Sequence, residues 1–173
     1  MADNEHKYVD SDMWSGYSAA RERLLRLLSR EKVSNPLVLS GDVHAFLANE
    51  LKAPADADRP VAAVEFVTGS ISARLEQRER EPVVQSPCNE NAVKYANLDN
   101  HGFSVCELTE DEAAVWFIGF PHEQGRLLKD PQEKKRILAS FTVESGARDI
   151  KTNFRATELK VDNSLKGCGT REI

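Results

Sequence analysis

Two short apolar runs, each stopped by a small polar turn, constrain this chain more than any other feature. Leu37-Val38-Leu39 contains no polar residue and ends in Ser40-Gly41-Asp42-Val43-His44. Val61-Ala62-Ala63-Val64-Glu65-Phe66-Val67 repeats the arrangement and ends in Thr68-Gly69-Ser70-Ile71-Ser72. A strand with one wet face alternates apolar and polar residues. A run without alternation reads as a strand buried on both faces, which needs cover above and below it. The pair asks for a sheet inside a layered domain.

A helix upstream offers one such layer. From Gly16 to about Lys32, Tyr17, Ala20, Leu24, Leu27 and Leu28 recur at helical spacing, while Arg21, Glu22, Arg26 and Ser29 lie elsewhere. Ser18 is suited to cap its start, and Asn35-Pro36 stops it, because proline disfavours the helical conformation in the residue before it. Downstream, His101–Leu108 alternates and is joined through Thr109-Glu110-Asp111-Glu112 to the apolar Ala113–Phe120, an expected antiparallel hairpin. Arg136–Val143 reads as one further strand. The charge run Glu76–Glu81, with Pro82 and Pro87 after it, reads as solvated. Residues 1–11 are polar and expected to be disordered, residues 12–145 form the domain, and residues 146–173 lack a period and read as a C-terminal tail. The expected class is α/β, or α+β in layers, with a mixed sheet.

Composition narrows function by exclusion. With 23 basic against 28 acidic residues and a net charge of −5, the chain lacks the basic excess or stripe of a nucleic-acid binder, so no stable nucleic-acid partner is expected. No apolar run approaches the roughly 20 residues that span a bilayer, so no membrane partner is expected either. Met1-Ala2-Asp3-Asn4-Glu5-His6 has neither the charged nor the apolar region of an export signal, and localisation stays open. The three cysteines, Cys88, Cys106 and Cys168, are far apart and lack metal-site spacing; separate thiols are expected.

The candidates for chemistry sit at strand ends, where loops leave a rigid sheet. Asp42 and His44 are two apart, so in an extended conformation both side chains point the same way and form half of a transition-metal site. On spacing alone the commoner reading is that Asp42 caps a helix beginning near Val43, with His44 in its first turn. Ser70 and Ser72 offer hydroxyls, and their turn offers N–H groups for phosphate oxygens; small hydroxyl residues equally serve any strand-to-loop junction. Asn97, Asp99 and Asn100 suit a hard cation or, more commonly, a plain turn. No nucleophile elbow, phosphate-binding P-loop or dinucleotide fingerprint is present.

Four blocks in order resemble one family. They are Asp12-Met13-Trp14-Ser15-Gly16-Tyr17 running into Ala20-Arg21-Glu22-Arg23-Leu24-Leu25; Asn35-Pro36-Leu37-Val38-Leu39-Ser40-Gly41-Asp42-Val43-His44; Glu65-Phe66-Val67-Thr68-Gly69-Ser70-Ile71-Ser72; and Val93-Lys94-Tyr95-Ala96-Asn97 with His101-Gly102-Phe103. Together they resemble the C-terminal half of the alkaline phosphatase D (PhoD-like) metallophosphatases. The resemblance implies a calcineurin-like sandwich of mixed sheets with flanking helices. It implies hydrolysis of phosphomonoesters and phosphodiesters, with iron and calcium as metals and a phosphate ester as substrate. It makes Asp42 and His44 metal ligands and leaves Ser70 and Ser72 a lesser, substrate-side role. Ser15 stands where the family usually has aspartate, and His101-Gly102-Phe103 where it has Arg-Gly-Tyr. Most of the family's metal ligands precede this region, so the resemblance implies part of a longer or split enzyme whose partner is a missing N-terminal half. The alternative is a non-catalytic remnant or interaction module that keeps the fold without a complete metal site.

Overall fold

The computed structural model describes residues 14–30, 33–52, 60–75, 91–120, 122–123, 126–127 and 135–155. The expected disordered segment 1–11, the charge run Glu76–Glu81, Cys88 and Cys168 lie outside the described residues. A 3-10 turn over Trp14–Tyr17 runs into helix α1, Ser18–Arg30, which starts at the expected serine and stops ahead of Asn35-Pro36. Among the described residues ten strands follow: β1 Leu37–Ser40, β2 Phe46–Leu51, β3 Ala63–Val67, β4 Asn91–Asn97, β5 His101–Leu108, β6 Glu112–Phe120, the two-residue β7 His122–Glu123 and β8 Arg126–Leu127, β9 Arg136–Glu144 and β10 Lys151–Arg155.

These strands build two four-stranded sheets and a small β7–β8 pair. The first sheet has the order β1-β3-β2-β4 and is mixed, because β1 runs parallel to β3 while the other neighbours are antiparallel. The second, in the order β10-β9-β6-β5, is antiparallel throughout. The expected hairpin is β5–β6, closed by Thr109, whose hydroxyl accepts from the N–H groups of Asp111 and Glu112.

The sheets share one core. Alternate side chains of β2, β3 and β4 (Phe46, Ala48, Val64, Phe66, Tyr95) meet Val115 and Phe117 of β6 and Ala139, Phe141 and Val143 of β9. Phe117 is the hub, with ring centroids 5.1 Å from Phe46, 5.2 Å from Phe141, 5.8 Å from Tyr95 and 6.1 Å from Phe66. Tilted and edge-on pairs at such spacings add about 0.5–1.5 kcal/mol each beyond burial. On the other face of the first sheet, Leu25 of α1 packs with Leu51, Ala62 and Ala63. Of the two non-alternating runs, β3 is thus buried between a helix and a second sheet, and β2 beside it is buried at every position. By contrast, β1 is only half-buried and exposes Leu39, against the expectation of a strand covered on both faces.

Two further expectations need correction. The buried residues of α1 are Arg21 and Leu25, while Tyr17, Leu24 and Leu27 are exposed, so the helix is turned from the expected face. Leu24, Leu25, Leu27 and Leu28 spread round much of the helix, and periodicity alone leaves its rotation undetermined. The expected tail starts too early: Lys151–Arg155 pairs with β9, and Ile150 is buried in the main core. Among the described residues there is one α-helix, and the fold is sheet-rich α+β. The remaining tail, residues 156–173, lies outside the described residues.

Candidate metal centre

Parallel pairing of β1 and β3 brings both strands out at the same end of the first sheet. Because β2 is antiparallel to β3 and β4 to β2, β2 enters and β4 leaves at that end too. The Gly41–Ala45, Thr68–Ser72 and Leu98–Asn100 connections therefore gather on one rim. This is where ligand-binding loops of α/β sheets collect.

Hydrogen bonds tie the rim together. The Thr68 N–H donates to the Ser40 carbonyl (2.9 Å), and the Gly102 N–H to the Ser70 carbonyl (3.0 Å). The Thr68 hydroxyl donates to Ser104 Oγ (2.8 Å), joining the first sheet to the second. Gly69 lies directly on Phe46; a Cβ added there would come within 2.6 Å of the ring.

The Gly41–His44 turn is neither extended nor helical. Asp42 has φ 69° and His44 φ 61°, both left-handed, and the Val43 N–H closes back onto the Gly41 carbonyl (2.8 Å). Neither backbone conformation expected here, an extended segment or a helix opening near Val43, is formed, and the chain passes from the turn into β2. Left-handed backbone at a residue other than glycine costs about 1–3 kcal/mol, although aspartate and histidine tolerate it better than most. Asp42 is exposed and His44 half-buried. Among the described residues, neither side chain forms a hydrogen bond or ion pair. An aspartate and a histidine side chain thus stand unengaged on a strained backbone.

The other candidates divide. The Ser70 hydroxyl donates to the Ala73 carbonyl, and Ser72 is exposed; both lie on the rim. Asn97 Oδ1 accepts from the N–H groups of Asp99 (3.2 Å) and Asn100 (3.0 Å) and from Asn100 Nδ2 (3.1 Å), so the plain-turn reading is the one realised. His101 is buried rather than aimed at solvent. Among the described residues, no three histidine, cysteine, aspartate or glutamate side chains converge.

Sequence reading missed a polar row behind the rim. Glu65 accepts from Ser40 Oγ at one carboxylate oxygen (3.1 Å) and from Asn49 Nδ2 at the other (3.0 Å). Asn49 is 1% exposed, and its Oδ1 has no partner among the described residues. The available signal was a charge inside an apolar strand, since a carboxylate partly withdrawn from water needs donors.

A model of the PhoD-like phosphatase family matches residues 1–117. The chain belongs to that family. Alkaline phosphatase D of Bacillus subtilis (strain 168) is 30% identical over 149 residues, covering 79% of this PhoD-like chain and 25% of the relative. A solved structure, titled "Structure of PhoD", superposes with a TM-score of 0.65 at 22% identity, over 84% of this chain and 27% of that one. The PhoD-like chain thus has the fold of part of that protein and spans about a quarter of the length of each relative. No helix among its described residues is long and apolar enough to cross a membrane. Cys106, the described cysteine, is a free thiol.

Proposed function

We propose that this PhoD-like chain contributes to metal-dependent hydrolysis of phosphate esters, with Asp42 and His44 as two of the metal donors. The observation that carries the reading is the Gly41–His44 turn, whose left-handed aspartate and histidine have no partner among the described residues. Strained backbone clusters at ligand-holding turns, and among the described residues no side-chain hydrogen bond of Asp42 or His44 offsets it here. The donor types fit the family's metals: carboxylate oxygen suits both calcium and iron, and imidazole nitrogen suits iron. When bound, the metal supplies a Lewis acid for the phosphoryl oxygen.

The chain's own residues do the holding. Asp42 and His44 present their donors at the end of β1, and the Gly69–Ser72 turn beside them offers backbone N–H groups to phosphoryl oxygens, with Ser70 and Ser72 at its edge. Two donors are fewer than a metal site needs. The rest belong to a longer or split enzyme, and the partner is an N-terminal half completing a calcineurin-like sandwich. The two sheets sharing one aromatic core support that reading.

The test is hydrolysis of an aryl phosphate with iron and calcium, by this chain combined with the N-terminal part of the Bacillus subtilis relative. Turnover should fall by about 100-fold or more in Asp42→Asn and His44→Ala, the scale expected when a catalytic metal loses a ligand. Equal turnover in wild type and both variants contradicts the assignment.

A further inference from the structure

The face of the first sheet turned away from the second is apolar at both ends and polar in the middle. At the helix end Leu51 and Ala63 pack with Leu25, and at the rim end Leu47 and Val67 pack with Ala45. Between these clusters Asn49 of β2 stands opposite Glu65 of β3, and Ser40 of β1 reaches Glu65 from the other side. Alternation along each strand places all three on this one face.

Such a row is a poor choice for stability alone. Apolar side chains of similar size would join the clusters on either side, and replacements of that kind are often neutral or stabilising. The row also leaves one atom unsatisfied. Asn49 is 1% exposed and turns its nitrogen to Glu65, so its Oδ1 has no partner among the described residues. An orphaned buried oxygen in a native structure calls for a reason other than stability.

What the row does is connect. One Glu65 oxygen takes the hydroxyl of Ser40, the residue just before the Gly41–His44 turn, and the other takes the amide of Asn49, in the strand just after it. A single carboxylate thus ties β1 to β2 across β3. Ser40 is gripped twice, since its carbonyl also accepts from the Thr68 N–H. That carbonyl lies in the peptide plane entering Gly41, so its orientation sets the direction from which Asp42 turns left-handed. We propose that Glu65 is the positioning residue of the candidate metal centre, holding Asp42 and His44 in the conformations that present their side chains. The inference deepens the phosphoesterase reading and rests on it for the metal, while the hold on the turn rests on the hydrogen bonds. Glutamine at this position keeps both contacts, accepting from Asn49 and donating to Ser40 Oγ, whereas alanine keeps neither.

The test is backbone NMR of the full chain, without metal and titrated with manganese(II), for wild type, Glu65→Ala, Glu65→Gln and Val115→Ala. Val115 is fully buried in the core between the sheets, so its truncation lowers stability without touching the row. Without metal, Glu65→Ala should move the Asp42 and His44 Cα shifts and amide couplings off their left-handed values, while the other two variants keep them. With manganese, broadening of Gly41–His44 should need about tenfold more metal in Glu65→Ala, and the wild-type concentration in Glu65→Gln and Val115→Ala. A turn unchanged in Glu65→Ala, or disturbed equally in Val115→Ala, overturns the proposal by reducing the row to packing. Wild-type manganese affinity in Glu65→Ala overturns it too. Should Glu65→Ala not fold, Ser40→Ala removes one hydroxyl alone and is read the same way, with a smaller shift expected and an unchanged turn overturning the proposal. A wild-type chain that ignores manganese contradicts the metal reading, whereas a turn that still loosens in Glu65→Ala supports the positioning role.

Discussion

The two ends of β1 carry the same backbone irregularity and answer it in opposite ways. Before the strand, Asn35 is left-handed with φ 50°; after it, Asp42 and His44 are left-handed as well. Asn35 is fully engaged. Its Nδ2 donates to the carbonyls of Glu144 (2.7 Å) and Ala147 (3.2 Å), and its Oδ1 accepts from the Gly146 N–H (2.7 Å) and the Ser34 hydroxyl (2.8 Å). Arg148 closes the same corner, donating to the carbonyls of Leu28 (3.3 Å) and Val33 (2.5 Å) at the end of the helix. The strain at Asn35 is offset by bonds that clasp the β9–β10 turn to the first sheet. The strain at Asp42 and His44 is held from behind, by Ser40, Thr68 and Glu65, while their own side chains stay unused. One end is a structural corner; the other keeps its side chains free among the described residues, as the proposed metal site requires.

Substitutions at the two ends should separate these roles. Asn35→Ala is expected to cost most, about 3 kcal/mol, because it loses several hydrogen bonds and leaves a Cβ-bearing residue in left-handed backbone. Denaturant unfolding followed by circular dichroism reads that loss. Gly69→Ala forces a methyl against Phe46 and should cost about 1–3 kcal/mol, read as a lowered midpoint with an unchanged slope. Glu65→Ala strips the acceptor from Ser40 and Asn49 and should cost about 1–2 kcal/mol. Its mark at the rim is faster exchange of the Thr68 amide. Asp42→Asn with His44→Asn keeps residues that tolerate the left-handed region, and should change stability by no more than about 0.5 kcal/mol. A large loss there would make the turn a second structural corner and erase the contrast.

The smallest effect lies away from both ends. Burial raises the Cys106 thiol above its ordinary value of 9.0. The folded chain keeps that proton where the unfolded chain has lost it. The contribution to stability is whole below the ordinary value and fades as the pH rises through the folded one. Cys106→Ala should therefore flatten a slight alkaline decline in the unfolding midpoint, and the native thiol should react slowly with a disulfide reagent at neutral pH.

How much was legible follows from which forces act locally. α1, β1, β3 and the β5–β6 hairpin were readable because period, capping and turn residues are properties of neighbouring positions. β4 was not read as a strand, since Asn91-Ala92-Val93-Lys94-Tyr95-Ala96-Asn97 has no clean alternation and its pairing with β2 is shifted by a bulge. β10 is Lys-Thr-Asn-Phe-Arg, polar as edge strands are, and only its pairing with β9 makes it a strand. At the site, Asp42 and His44 were named from their position after a buried strand and from the family's motif. The backbone that presents them was misjudged, because left-handed torsions at residues other than glycine follow from tertiary restraint. The Ser40–Glu65–Asn49 row was unread for the same reason: it crosses three strands.

The central claim is that the Asp42–His44 end binds a metal and the Asn35 end does not. The most direct measurement is a titration of the full chain with manganese(II) as a paramagnetic probe, followed by the backbone resonances of residues 34–44. The account predicts selective broadening of Gly41–His44, sharp signals at Ser34 and Asn35, and loss of the broadening in Asp42→Asn with His44→Asn. Broadening that survives in the double variant, or that is equal at both ends of β1, would contradict it.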